Sequence, residues 1–401
     1  MSFALSPLAA RVPVSANLAA QERIWALQAQ GRQILDFTIG EPDLDTPDHI
    51  IDAALAAMRR GETHYTASAG IAPLRAAIAE KVSGDTGLAY KPEQIALGAG
   101  AKQVIQEAFA ATLQAGDEVI IPVPAWVSYA DGVVFYQGVP KLVATRADDD
   151  FKLTADALAA AITPNTRWLI LNAPGNPGGG IYTVAEQQAL ADVLAQHPQV
   201  LVMTDDIYEH LAFDGRRHVN LLKTAPELGP RTLIVNGFSK AYAMTGWRVG
   251  YAAGPKPLID AIVKLVGQST TCVSSVSQAA ALAALASGAD YLDGVRCLYE
   301  ERRNLMHANI AAIPGVQCRK PQGAFYLFPS ITGLYGKRTP EGHTLQSDQD
   351  VAQYLLQAAG VAVMDGSAYG TPGHLRLSFA AATEAIEAGC AQIAQACAAL
   401  T

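Results

Sequence analysis

Asn236-Gly-Phe-Ser-Lys-Ala-Tyr-Ala-Met-Thr-Gly-Trp-Arg-Val-Gly250 decides how this chain is read. The apolar run Thr232-Leu-Ile-Val235 precedes it and has the character of a buried strand. Lys240 follows among small and polar residues, and Arg248 comes shortly after. A lysine just past a buried strand is partly desolvated. That disfavours its charged form and frees the lone pair for a Schiff base with a carbonyl. An arginine close by offers a rigid fork that grips a phosphate in bidentate fashion. Taken alone, the pair reads more readily as a solvated lysine and a salt-bridging arginine; the rest of the chain reverses that balance.

Working outward, strand-length apolar runs occur at Gln94–Leu97, Glu118–Ile121, Lys141–Ala144, Trp168–Leu171, Val200–Met203, Thr232–Val235 and Arg248–Ala252. They are nearly continuous in apolar character rather than alternating, as expected when helices cover both faces of a mostly parallel sheet. Helical stretches at Lys102–Leu113, Val184–Gln196 and Leu258–Val266 lie between or after them. The expected fold class is α/β: a large domain over residues 48–290 with a mostly parallel seven-stranded sheet covered by helices. Thr46-Pro47 reads as a helix start, with Thr46 as the cap and Pro47 at the first helical position. After residue 290 the pattern changes. A long helix is expected from Tyr291, strands at Val316–Arg319, Ala324–Phe328, Val361–Met364 and Leu375–Phe379, and helices at Asp348–Ala359 and Ala382–Ala399. Residues 291–401, joined by 1–47, are read as a smaller α+β domain.

The chain has 401 residues, 50% hydrophobic and 16% charged, which suits a large packed core rather than disorder. A net charge of −8 argues against nucleic acid or an anionic membrane as partner. The five cysteines show no zinc spacing and read as reduced thiols of a cytoplasmic protein, and no secretory signal is read at Met1–Pro7. The uncharged stretch Gln268–Ala289 is too rich in Ser, Thr and Gln for a membrane span; its Ala-rich half reads as a packed helix. No metal pattern is present among the eight histidines.

In open α/β sheets, ligands sit beyond the carboxyl ends of the strands. After Leu97 comes Gly98-Ala-Gly-Ala-Lys-Gln103, small residues opening a helix, which is a seat for phosphate. As a dinucleotide fingerprint it fails, because Gln103 stands where the third glycine belongs. After Ile121 comes Pro122-Val-Pro-Ala-Trp-Val-Ser-Tyr129, whose Trp126 can stack on a flat ring. Asn176, held between Pro and Gly residues, can hydrogen-bond a ring oxygen, and Tyr208 can share that task. Asp205 at a buried strand end needs a partner, and a protonated pyridine nitrogen is one. Phosphate seat, Trp, Asn, Asp, Tyr, Lys and Arg in that order suit pyridoxal 5'-phosphate.

On these residues, above all Ser239–Arg248 and Asn172–Pro177, the chain resembles the fold-type I pyridoxal-phosphate enzymes, class I aminotransferases, over nearly its whole length. It is most similar to the bacterial-type aspartate aminotransferase subgroup, some members of which also act on prephenate. The resemblance implies Lys240 as the Schiff-base lysine and Arg248 as a phosphate ligand. It implies Gly100, Ala101 and Lys102 at the phosphate seat, Trp126 on the ring face, Asn176 and Tyr208 on the ring oxygen, and Asp205 on the ring nitrogen. It further implies that Arg376, in Gly373-His-Leu-Arg-Leu-Ser-Phe379, clamps the substrate α-carboxylate under Gly40; Trp126 and Asn176 are read as meeting the substrate as well. Lys102 is read as the cation for a distal carboxylate, against the plainer reading of a phosphate-side or surface lysine. Tyr65 and Gln268–Thr271 would reach a neighbouring subunit's site, so a homodimer is implied, acting on an amino acid and a 2-oxo acid. Two departures stand out: Gly178 replaces the family's usual Thr after Asn176-Pro177, and Asn17 stands where relatives often carry Thr. Other readings are a transaminase for aromatic or neutral amino acids, a C–S lyase on the same fold, a non-catalytic sensor, and an NAD-dependent dehydrogenase.

Overall fold

A computed structural model describes residues 6, 8, 11 and 16–401; Val14 and Ser15, and the side chain of Asn17, lie outside the described residues. After the helix Ala16–Gln28 comes β1 (Leu35–Asp36). Seven strands then form one sheet: β2 (Ile95–Gly98), β3 (Glu118–Val123), β4 (Val139–Ala144), β5 (Thr166–Asn172), β6 (Leu201–Asp205), β7 (Thr232–Gly237) and β8 (Gly250–Ala253). Their order is β2-β8-β7-β6-β5-β3-β4, and β8 alone runs opposite to the other six. The expected mostly parallel sheet of seven strands is therefore present.

Successive side chains on a strand point to opposite faces, so a sheet covered twice must be apolar at every position. That is how the runs are used. Leu169, Val202 and Ile234 enter a core shared with Ile50, Leu74, Ile78, Leu190 and Ala280. Their neighbours Trp168, Met203 and Val235 enter a second core with Val104, Phe109 and Ile262. The edge strand β4 lacks a second covered face. It is half exposed along its length and carries Lys141 against Glu118 at 3.4 Å.

The C-terminal part forms a third core, in which Tyr299, Met306, Val351, Leu377 and Ile386 join Phe37 from the N-terminal segment. Its strands are short: β9 (Tyr326–Leu327), β10 (Val361–Ala362), β11 (Met364–Asp365) and β12 (Leu375–Ser378). The order β11-β12-β9 is antiparallel, while β1 pairs with β10 in parallel. The helices Ala289–Ala311 and Thr383–Ala398 lie against each other over these strands. Among the described residues, no helix is long and apolar enough to cross a membrane.

Two local expectations are corrected. The helix after Pro47 is Asp48–Arg59, Pro47 takes the cap position, and no side chain caps it. Thr46 Oγ1 instead donates to the Ala243 carbonyl at 2.6 Å and accepts from the Trp247 indole N–H at 2.9 Å. Its hydroxyl is spent on tying down the loop after Lys240. Val316–Arg319 forms no strand, only a bridge from Gln317 to Ser330. There the Cys318 carbonyl lies 3.1 Å from His307 Nε2 and is not available to a ladder.

Candidate active site

The chain just beyond the ends of β5, β6 and β7 lines a cavity of about 370 Å³. Lys240 lines it. Its Nζ donates to the Gly40 carbonyl at 2.5 Å and lies 5.7 Å from the rings of Tyr208 and Phe325. Desolvation among these groups, and then the charge of Arg376, push the amine down to about 8. A neutral fraction is thus present near neutrality, which an exposed lysine would lack.

Asp205 is the last residue of β6 and is buried. Burial pushes its carboxyl up to about 6, against the pull of two hydrogen bonds. Tyr129 donates its hydroxyl to Oδ2 at 2.6 Å, and the Ile207 N–H reaches Oδ1 at 3.2 Å. Burial and the neighbouring carboxylate hold the Tyr129 phenol well above its ordinary range, so it stays a donor. Asn172 fixes the next loop: its amide donates to the Asp205 carbonyl at 2.8 Å and its Oδ1 accepts the Asn176 N–H at 2.8 Å.

Asn176 Oδ1 then accepts from Arg376 Nη1 at 3.2 Å. Arg376, on β12, is buried, with Nη2 donating to the Thr38 carbonyl at 2.5 Å. Its guanidinium lies 4.5 Å from the Tyr326 ring and 4.9 Å from that of Tyr369. Tyr326 and Tyr208 share a hydrogen bond of 2.8 Å. A side chain at Gly40 would bring its Cβ to 2.8 Å from the Tyr326 hydroxyl, so it would have to push that hydroxyl aside where the N-terminal segment crosses the site.

The far end holds Gly100, with φ +81, at the start of the helix Ala101–Thr112. A Cβ there would collide with the Arg248 guanidinium. Arg248 donates to the carbonyls of Thr245 at 2.9 Å and Ala99 at 3.2 Å, leaving further N–H groups of its fork. The first N–H groups of the helix have no intrahelical partner. Lys102 Nζ lies 4.9 Å over the Trp126 ring; burial and then Arg248 lower its amine below the usual lysine range. The cavity therefore offers an anion seat at one end, a buried carboxylate for a ring cation, and an amine for a carbonyl.

Of the residues singled out in the sequence, Gly40, Ala101, Lys102, Trp126, Asn176, Asp205, Tyr208, Lys240, Arg248 and Arg376 line this one cavity, and Gly100 abuts it through Arg248. Tyr65 does not line it: it is 86% exposed, on a loop held by Gln278, which bonds Thr66 Oγ1 at 3.0 Å and the Ile71 N–H at 2.7 Å. Gln268–Thr271 is also exposed, at the end of the helix Lys256–Ser269. The sequence reading assigned no role to Tyr129, Tyr326, Glu41 and Thr245, which the cavity also contains. Tyr129 had a signal: it comes three residues after Trp126, and the two rings meet edge to face at 5.3 Å.

Comparison with known proteins agrees with this geometry. The family described as aminotransferase class I and II matches residues 32–393. An aspartate aminotransferase of Rhizobium meliloti is 46% identical over 96% of this chain and 94% of its own length. An aspartate/prephenate aminotransferase of Cereibacter sphaeroides is 46% identical over the whole of both chains, 100% of each. Among solved structures, an aspartate aminotransferase from Rhizobium meliloti superposes with a TM-score of 0.97 at 44% identity, covering 100% of both chains. That of Thermus thermophilus with maleate gives 0.91 at 36% identity, covering 98% of this chain and 100% of that one. Sequence, fold and cavity lead to one conclusion: this chain belongs to the class I and II aminotransferases and is an aminotransferase.

Proposed function

We propose that this aminotransferase uses pyridoxal 5'-phosphate to move an amino group from L-aspartate to a 2-oxo acid, 2-oxoglutarate foremost, in two ping-pong half-reactions. The observation that carries the reading is a buried amine, Lys240, pushed down to about 8 in the same cavity as Asp205 and Arg376. Bound there, the cofactor supplies a carbonyl for amines and an electron sink for the charge left when an α-proton departs. The chain's own groups do the rest. Ala101 and Lys102 N–H groups, with Gly100 and Arg248, hold the phosphate; Trp126 covers the ring face; Asn176 and Tyr208 bond the ring oxygen. Asp205, ionised, keeps the ring nitrogen protonated. Arg376 binds the α-carboxylate beneath Gly40. Lys240 would take the α-proton on Nζ as general base and, so protonated, would serve as the general acid that gives a proton back.

Aspartate is favoured by the names of the relatives and by Lys102, a cation in the cavity lining that suits a second carboxylate. Two copies are taken to share each site, in support of which Tyr65 and Gln268–Thr271 stand exposed outside their own cavity. Residues 48–290 are taken as the large domain, and 1–47 with 291–401 as the small one. All five cysteines are unpaired, in keeping with a cytoplasmic enzyme.

The test is one half-reaction. Cofactor-loaded protein mixed with L-aspartate alone, with no acceptor, is expected to release one equivalent of oxaloacetate per site; no release refutes the assignment. Prephenate is then compared with 2-oxoglutarate as acceptor in the second half. Lys102→Ala is expected to lower kcat/KM for aspartate roughly ten- to hundredfold, the worth of a charge-assisted contact, and to spare alanine. An equal loss on both substrates would remove Lys102 from the distal-carboxylate role. Tyr129→Phe removes a hydrogen bond that pulls the Asp205 carboxyl down, so that carboxyl titrates higher. Activity needs the ionised form and is lost as pH falls, so the acid limb of the pH–rate profile should move to higher pH. An unmoved limb would show that Tyr129 does not tune Asp205.

A further inference from the structure

The absence of a side chain at Gly178 has a physical cause in this fold. The backbone there does not lie in the left-handed region, so conformation alone would admit a side chain. A side chain there would have to displace Phe151. A Cβ at residue 178 would stand 2.8 Å from the Phe151 Cβ and 3.3 Å from its ring, inside the ~3.5–4.0 Å of ordinary carbon contact. Phe151 is itself held in an unusual way: it and Asp150 are successive non-glycine residues at φ +56 and +52. Gln322 pins that corner, donating to Asp150 Oδ2 at 2.7 Å, accepting the Ile181 N–H at 3.0 Å, and donating its own N–H to the Gly179 carbonyl at 3.1 Å.

From this corner a line of rings runs to the active site. Phe151 meets Phe328 edge-on at 5.4 Å and His374 edge-on at 5.7 Å. Phe328 and His374 are stacked at 4.9 Å with 8° between planes. Phe328 meets Tyr369 at 6.4 Å, and Tyr369 lies 4.9 Å from the Arg376 guanidinium. The second route is shorter: Gly178 is two residues from Asn176, which accepts from Arg376. Both ends of the corner therefore converge on one arginine.

We propose that Phe151 is a positioning residue for Arg376, and that Gly178 is small in order to admit it. The pair braces the β5 loop against the strand that carries Arg376, so that the guanidinium is held ready for a carboxylate. This rests on the reading that Arg376 binds the substrate α-carboxylate. Every amino acid substrate carries that group. The pair therefore sets how tightly substrates are held and leaves the choice between aspartate and alanine alone.

The experiment compares the unchanged holoenzyme with Phe151→Ala, Phe151→Leu, Phe151→Gly, Gly178→Thr and the double variant Gly178→Thr/Phe151→Gly. Readouts are KM and kcat for aspartate and alanine, and calorimetric binding of succinate, a dicarboxylate that cannot react. Phe151→Ala should raise both KM values and the succinate Kd together by about tenfold, short of the roughly hundredfold that a misplacement of about 1 Å can cost. kcat should stay within about twofold, the signature of lost uniform binding. Phe151→Leu, which keeps bulk and loses the ring, covers the case in which alanine does not fold, and should move the same constants. Gly178→Thr should match or exceed Phe151→Ala in a wild-type background and cost nothing further in a Phe151→Gly background, because the colliding atom is the Cβ. Unchanged succinate binding in a folded Phe151 variant, or a Gly178→Thr penalty that persists with Phe151→Gly, overturns the proposal. Unchanged protein that neither releases oxaloacetate nor binds succinate overturns instead the reading on which it rests.

Discussion

Lys240→Ala is expected to abolish turnover, with kcat lower by about four orders of magnitude or more, since both an activated nucleophile and a general base are removed. The cavity walls do not depend on this side chain: Nζ has one hydrogen bond, to the Gly40 carbonyl, which solvent in the cavity can replace. The variant should therefore fold, and still bind succinate through Arg376. Lys240→Arg is expected to fail as badly, because a guanidinium stays protonated at working pH and accepts no proton. The measurement is steady-state transamination of aspartate alongside succinate calorimetry. A Lys240→Ala protein that binds succinate and keeps more than about a hundredth of the parent turnover would remove Lys240 from the chemistry.

The second large effect is at Arg376. Truncation to alanine should lower kcat/KM by roughly 10² to 10³, the range for deleting one partner of a buried charge pair. The loss should fall mainly on KM and be equal for aspartate and alanine, in contrast to Lys102→Ala. Arg376→Lys should recover little. The present guanidinium reaches Asn176 Oδ1 and the Thr38 carbonyl at once while lying 4.5 and 4.9 Å from two tyrosine rings. An ammonium on a flexible stem reproduces neither the fork nor the flat faces. A loss confined to aspartate would mean that Arg376 serves the distal carboxylate instead.

The sheet was legible because its strands are buried on both faces: a continuous apolar run such as Trp168–Leu171 has few other uses, and Leu169 and Trp168 do reach opposite cores. The site was legible for a related reason. Groups at strand ends such as Asp205, Asn176 and Lys240 are polar residues placed just where apolar runs stop. The reading failed where the partner is distant in sequence. Thr46 looks like a cap, and only the fold shows that its hydroxyl is taken by Ala243 and Trp247. Tyr326 gave no local signal, because its role is to meet Tyr208 and to crowd Gly40, both set by tertiary packing. Gly178 was visible as a departure, yet its cause, Phe151, sits in another loop with a left-handed backbone that sequence does not mark.

The reversed direction of β8 has one further consequence. Because β8 runs antiparallel to β7, the chain leaves the sheet after Gly237 and re-enters at Gly250 on the same side, with Gly237 facing Gly250 across the ladder. Lys240 and Arg248 thus hang from one closed hairpin whose feet are locked in register. Arg248 is also tethered inward to the Thr245 carbonyl, and Thr46 grips the Ala243 carbonyl from outside. The hairpin works as a fixed-gauge calliper: the gap between amine and guanidinium is set by chain length. Exchanging one side chain for another between its jaws leaves that gauge standing, whereas adding or deleting a single residue there resets it.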